Sequence, residues 1–156
     1  MLYIVLGEET LYAMGVSNEH LWGCLTYHFA HSSWSHLVIN CIAYVILYKR
    51  VLALSVTRFG DERVDFGMFA AATLAGLCAS AEIPTVGASG LIFAMLGMIL
   101  VLNPTVRQLK NYIYVAIAIG IQCFVGNSNT PLHIYAFIYG ALFMVIRCAI
   151  DKLKIK

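Results

Sequence analysis

Charge is what this chain has least of. Only 12% of its 156 residues are Asp, Glu, Lys or Arg, against about 25% in a soluble globular domain. A chain this small exposes much of its surface and, in water, needs polar residues to cover it. With 61% hydrophobic residues and a mean hydropathy of +0.82, lipid must be part of its solvent. The net charge of +2 favours neither a nucleic-acid partner nor an acidic substrate.

Metal-ligand spacings are missing as well. Cys24, Cys41, Cys78, Cys123 and Cys148 form no C-x-x-C pair, and four of them lie inside apolar runs, as small buried residues do. No H-E-x-x-H occurs, which argues against a zinc protease. The acidic residues do not fall in paired spans, which disfavours an aspartyl one. No metal or cofactor is expected. A haem reading exists for His20, His28, His31, His36 and His133, with His36 and His133 as axial ligands on facing helices, but it leaves a serine motif unexplained. The amino-terminal stretch lacks a basic n-region and is interrupted by Glu8 and Glu9, so no signal peptide is expected. No internal repeat is visible.

What is present is a series of apolar stretches. A spanning helix needs about 20 mostly apolar residues, and such stretches occur at 35–54, 64–82, 88–106, 111–126 and 131–150. Their breaks are Arg58–Arg63, Ile83–Thr85, Asn103–Lys110 and Gly126–Pro131. The expected fold is all-α: a polytopic membrane helical bundle of about five full spans over 35–150. Residues 1–34 form an extracytoplasmic interfacial segment with a short apolar remnant at Met1–Leu6, and 151–156 a basic tail. A five-helix zigzag puts all ten Lys and Arg residues on one side. Glu8, Glu9, Glu19 and Glu82 fall on the other. By the positive-inside rule the basic side and the carboxyl terminus are cytoplasmic. Leu21, Trp22, Leu25, Tyr27, Phe29 and Trp34 suit the headgroup level, where aromatic rings bury one edge and wet the other.

Polar residues inside such spans mark function more often than in soluble proteins, and three places qualify. His36 and Asn40, at i and i+4, share one helix face, with His31 just before the helix; interhelical hydrogen bonding is the plain alternative. Gly87-Ala88-Ser89-Gly90 opens a span, so Ser89 sits beside unpaired first-turn N–H groups and the positive helix end. That environment suits an oxyanion, or else the stretch is a small-residue packing motif or an N-cap. His133 lies in the first turn of the last span and shares its face with Ala136 and Gly140, small residues that allow close helix contact. The alternative is an interfacial histidine. By the charge topology Ser89 and His133 sit at similar depth on the extracytoplasmic side. If the Ala136/Gly140 face packs against the span carrying Ser89 and Gly97, the imidazole can reach the hydroxyl. A serine hydroxyl needs such a base, being a weak nucleophile at neutral pH.

Thr26, Phe29, His31, His36, Leu37 and Asn40 resemble the first signature of the rhomboid family. Gly87-Ala88-Ser89-Gly90 is similar to its G-x-S-G, and His133 with Gly140 to its last-helix histidine pattern. The resemblance covers roughly residues 20–150. It implies an intramembrane serine endopeptidase that cleaves transmembrane protein substrates in the bilayer, with Ser89 as nucleophile and His133 as general base. It also implies an oxyanion hole of His36, Asn40 and the Ser89 N–H. His31, Gly87, Gly90, Phe93, Ala136 and Gly140 would support the site, Phe93 by stacking on the histidine. The family usually has six spans; here the first is missing or reduced. Gly23 stands where an Arg is frequent, and Ala136 where a glycine is. The alternative is a rhomboid-like protein of weak or no activity that binds client transmembrane helices.

Overall fold

A computed structural model describes residues 4–5, 7–61, 63–79, 81–103 and 129–154. The expected fourth span, 111–126, lies outside them. Helices dominate: α1 (Glu8–Met14), α2 (Trp34–Phe59), α3 (Asp65–Cys78), α4 (Ser89–Leu102) and α5 (Thr130–Lys154). Between α1 and α2 run two 3-10 turns, Leu21–Leu25 and Tyr27–Phe29. A pair of two-residue strands, Ile4–Val5 and Ala30–His31, lies side by side in parallel.

Among the described residues two helices have spanning length. α2, with 26 residues, is about 39 Å long, and α5 is similar, against a hydrocarbon thickness of about 30 Å. Both are apolar enough to cross a membrane, at hydropathies of 1.8 and 1.7 over their best windows. α3 and α4, with 14 residues each, reach only about 21 Å. Of the five expected full spans, then, two have that length among the described residues and two are short.

The helix ends have local causes. Ser33 caps α2, its hydroxyl accepting from the His36 N–H at 3.2 Å, as an N-cap serine does. Gly60 closes α2 at φ +71°, its N–H bonded to Val56 O, in the left-handed conformation glycine adopts readily. α3 starts on Asp65, a negative charge at the positive helix end. α4 stops at Leu102, two residues before Pro104, which disfavours helical geometry in the residue preceding it.

The molecule is small inside and large outside. Ala71, Ala72, Ala75, Ala88, Ala94 and Ala136 are buried, whereas Val38, Ile39, Ile42, Ile46, Ile138, Leu142 and Ile146 point outward. Lipid tails accept those side chains, so small residues are left to bring backbones together. α4 is the central helix, buried along most of its length, with α2, α3 and α5 around it. Its closest crossing is with α5. A side chain on Gly97 would strike the Phe137 carbonyl of α5, and one on Gly140 would strike the Ala94 carbonyl of α4. At the far end Arg147 of α5 pairs with Asp61, donates to Ser55 Oγ at 3.2 Å and lies 4.2 Å from the centre of the Phe59 ring. The Asp61 carboxyl is held below the usual range, first by the Arg63 N–H and then by Arg147.

Candidate functional site

Ser89 is delivered by an irregular loop that other segments hold in place. Val16 and Thr85 exchange backbone hydrogen bonds at 3.1 and 2.9 Å, Asn18 N–H donates to Ala81 O at 2.9 Å, and Gly87 N–H donates to Tyr27 O at 2.8 Å. Irregular backbone at membrane depth requires such partners, because lipid offers none. Gly87 then takes φ +120°, which a residue with a side chain rarely adopts, and turns the chain into α4. Ser89 is the first residue of that helix, so its N–H has no acceptor within the helix.

His133 comes from the start of α5. Asn129 caps this helix, its side-chain oxygen accepting from the Leu132 N–H at 3.1 Å. The Gly97–Gly140 crossing draws α4 and α5 together, and the His133 Nε2 lies 2.8 Å from the Ser89 hydroxyl. Both residues are buried, at 4% and 9% exposure. The Phe93 ring, one turn after the serine, stacks on the imidazole with centroids 4.6 Å apart and 22° between planes. With the hydroxyl donating, Nε2 is the acceptor and Nδ1 carries the proton. Nδ1 is buried without a hydrogen-bond partner among the described residues.

His36 and Asn40 approach the loop from α2. A Cβ on Gly87 would lie 2.8 Å from His36 Nε2 and 3.7 Å from Asn40 Nδ2, so the bare glycine keeps both nitrogens beside the Ser89 turn. Ser32 Oγ lies 3.3 Å from His36 Nδ1; donating there, it leaves the proton on Nε2, which faces the loop. Asn40 Nδ2 gives one hydrogen to His36 O at 2.9 Å and has a second to offer. His31, edge-on to His36 at 5.1 Å, accepts from the Ala88 N–H at 3.4 Å through Nε2. Burial first and then the charge of His36 lower the His31 pKa, against a backbone hydrogen bond at Phe29 that raises it, to about 4. Neutral imidazole is the form that can accept from Ala88.

The structure thus brings Ser89, His133, Phe93, His36, Asn40, His31 and Gly87 together. Gly90 lies against the Tyr27 hydroxyl, Gly140 at the α4–α5 crossing, and Ala136 in an apolar cluster with Phe93 and Leu132. His20 and His28 lie elsewhere: His20 edges onto Trp22, and His28 is enclosed by Tyr27, Phe29 and Phe69. No cluster of three or more metal-ligating side chains forms among the described residues. Tyr27, expected at the headgroup level with one edge wet, is instead fully buried, its hydroxyl donating to Ala72 O at 2.9 Å; the roles of Asn129 and its partner Thr85 are not legible in the sequence. An asparagine before Thr-Pro is a helix-start signal, but nothing local announces its other bonds.

A family model described as Rhomboid domain matches residues 18–150. No curated protein and no solved structure matches the chain.

Proposed function

This chain belongs to the rhomboid family, and from that premise we propose that it is an intramembrane serine endopeptidase working through a Ser89–His133 dyad. One observation carries the reading: a buried serine hydroxyl lies 2.8 Å from a buried imidazole nitrogen across two helices. The Ser89 Oγ attacks the carbonyl of the scissile peptide bond while His133 Nε2 takes its proton. His133 returns that proton to the departing amine, and water, activated by the same nitrogen, hydrolyses the acyl-enzyme. The Ser89 N–H, His36 Nε2–H and Asn40 Nδ2–H face the oxygen on which negative charge develops, where one donor is worth roughly 2.7–4 kcal/mol. Phe93 holds the imidazole plane in place of a carboxylate.

Helix length supports chemistry below the membrane surface. The protein is an integral membrane protein, and α4 is about 9 Å shorter than the hydrocarbon layer. With its Leu102 end at the cytoplasmic interface, on the side of the basic residues Arg147, Lys152 and Lys154, its serine end and the loop before it sit within that layer and are reached from the extracytoplasmic side. Substrates are then transmembrane segments whose helix opens near that leaflet.

A fluorophosphonate probe tests the reading. Purified wild-type protein is expected to label, and Ser89→Ala and His133→Ala to lose the label while keeping their thermal unfolding midpoints. A folded wild type that refuses the probe favours the alternative, a rhomboid-like protein that binds client transmembrane helices without cutting them.

A further inference from the structure

Asn129 stands where three segments meet, and both polar atoms of its side chain are engaged. Its Nδ2 donates to the carbonyl of Ala79, just past α3, at 2.6 Å and to the Thr85 hydroxyl at 3.0 Å. Its Oδ1 accepts from the Leu132 N–H at 3.1 Å, and its own carbonyl accepts from the His133 N–H at 3.3 Å. Thr85 is itself fixed by its two backbone bonds to Val16, and it lies four residues before Ser89. One amide therefore joins the end of α3, the loop that delivers the nucleophile and the first turn that carries the base.

The need for such a link follows from lever arms. Ser89 and His133 project from the starts of different helices, whose closest contact is the Gly97–Gly140 crossing. That contact lies about 12 Å along α4 from Ser89 and about 10 Å along α5 from His133. A relative tilt of about 5° about it would move the two ends apart by about 1 Å. A displacement of that size can lower a rate about 100-fold. Asn129 closes the open end of this pair of levers.

We propose that Asn129 is a positioning residue: its two amide N–H bonds, to Ala79 and Thr85, hold the starts of α4 and α5 in the register that keeps Ser89 Oγ and His133 Nε2 in hydrogen-bonding range. The proposal rests on the hydrolase reading for its catalytic consequence, but the clamp itself is geometric and can be observed without turnover. Asn129→Asp separates the two roles of the side chain, since a carboxylate still caps α5 but donates nothing to Ala79 or Thr85. Thr85→Val removes one of the two links from the opposite side, and Thr85→Ser keeps it.

The experiment follows the His133 imidazole in the full-length protein in detergent, by its nitrogen resonances, assigned through their loss in His133→Ala. In parallel it measures the rate of fluorophosphonate labelling, and kcat and KM on a transmembrane substrate. In Asn129→Asp and Thr85→Val the His133 Nε2 resonance is expected to move toward its position in Ser89→Ala. Labelling is expected to slow by about 10- to 100-fold, through kcat with KM little changed, and Thr85→Ser should behave as wild type. A folded Asn129→Asp protein with the wild-type resonance and labelling rate overturns the proposal, as does a variant whose only change is a lower unfolding midpoint. If Asn129→Asp does not fold, Thr85→Val decides by the same two outcomes. If wild type never labels, the protease reading fails while the resonance still decides the clamp.

Discussion

Gly87 carries two constraints at once. Its φ of +120° is closed to most side chains, and the space a Cβ would take is bordered by the His36 ring at 2.7 Å. The same residue therefore shapes the turn into Ser89 and leaves His36 and Asn40 next to it. Those two side chains differ in what they add. His36 is half-buried and held loosely by Ser32, whereas Asn40 is buried and anchored to its own helix through His36 O. Because a donor toward an oxyanion acts mainly in the transition state, His36→Ala and Asn40→Ala are each expected to lower kcat by about 100- to 1,000-fold and to leave KM nearly unchanged. Steady-state kinetics on a transmembrane substrate checks this. An equal rise in KM with kcat preserved would reassign both residues to substrate binding.

Between elements, the crossing of α4 and α5 decides whether a site exists. Gly97 and Gly140 each face a carbonyl of the other helix, and backbone cannot swing aside as a flexible side chain can. Gly97→Leu and Gly140→Leu are expected to destabilise the protein by about 1–3 kcal/mol and to abolish fluorophosphonate labelling even in the folded fraction. Thermal unfolding and labelling read side by side test it, and a Gly97→Leu protein that labels at the wild-type rate would refute it. These elements were only partly legible in the sequence. Hydropathy is a sum over neighbours along the chain, so α2 and α5 stood out, as did the polar residues Ser89, His133, His36 and Asn40 inside apolar runs. Their ends were less visible. α2 runs on to Phe59 because Gly60 provides the left-handed stop, past the apolar window that ended at residue 54. α3 stops at Cys78 although its apolar run continues to Ala81, and the Ala79 carbonyl goes instead to Asn129. That partner lies 50 residues away, beyond any local pattern. Read along the chain, Asn129 belonged to a loop between spans; its bonds depend on α3 and the Thr85 loop arriving beside it.

At the scale of the whole molecule, the segment before α2 is the acid-sensitive part. His28 and His31 are fully buried there, and burial above all lowers their pKa values from 6.5 to about 3 and about 4. Below pH 6.5 the unfolded chain binds protons that the folded one refuses, so stability is full above that pH and falls as pH drops, through His31 and His28 together down to about 4 and through His28 alone down to about 3. The unfolding midpoint in detergent is expected to decline over this window, and His28→Leu to flatten the lower part of the decline; an unchanged acid slope in that variant would contradict the assignment. The same segment ties Val16, Tyr27 and His31 to the loop carrying Ser89, so acid unfolding should remove the site along with it. Mapping the fluorophosphonate adduct by mass spectrometry of the membrane-embedded protein asks about that site most directly. One adduct on Ser89 at neutral pH, absent when His133 is replaced by alanine, is the predicted result. An adduct on another residue, or one on Ser89 that forms just as fast without the imidazole, would contradict it.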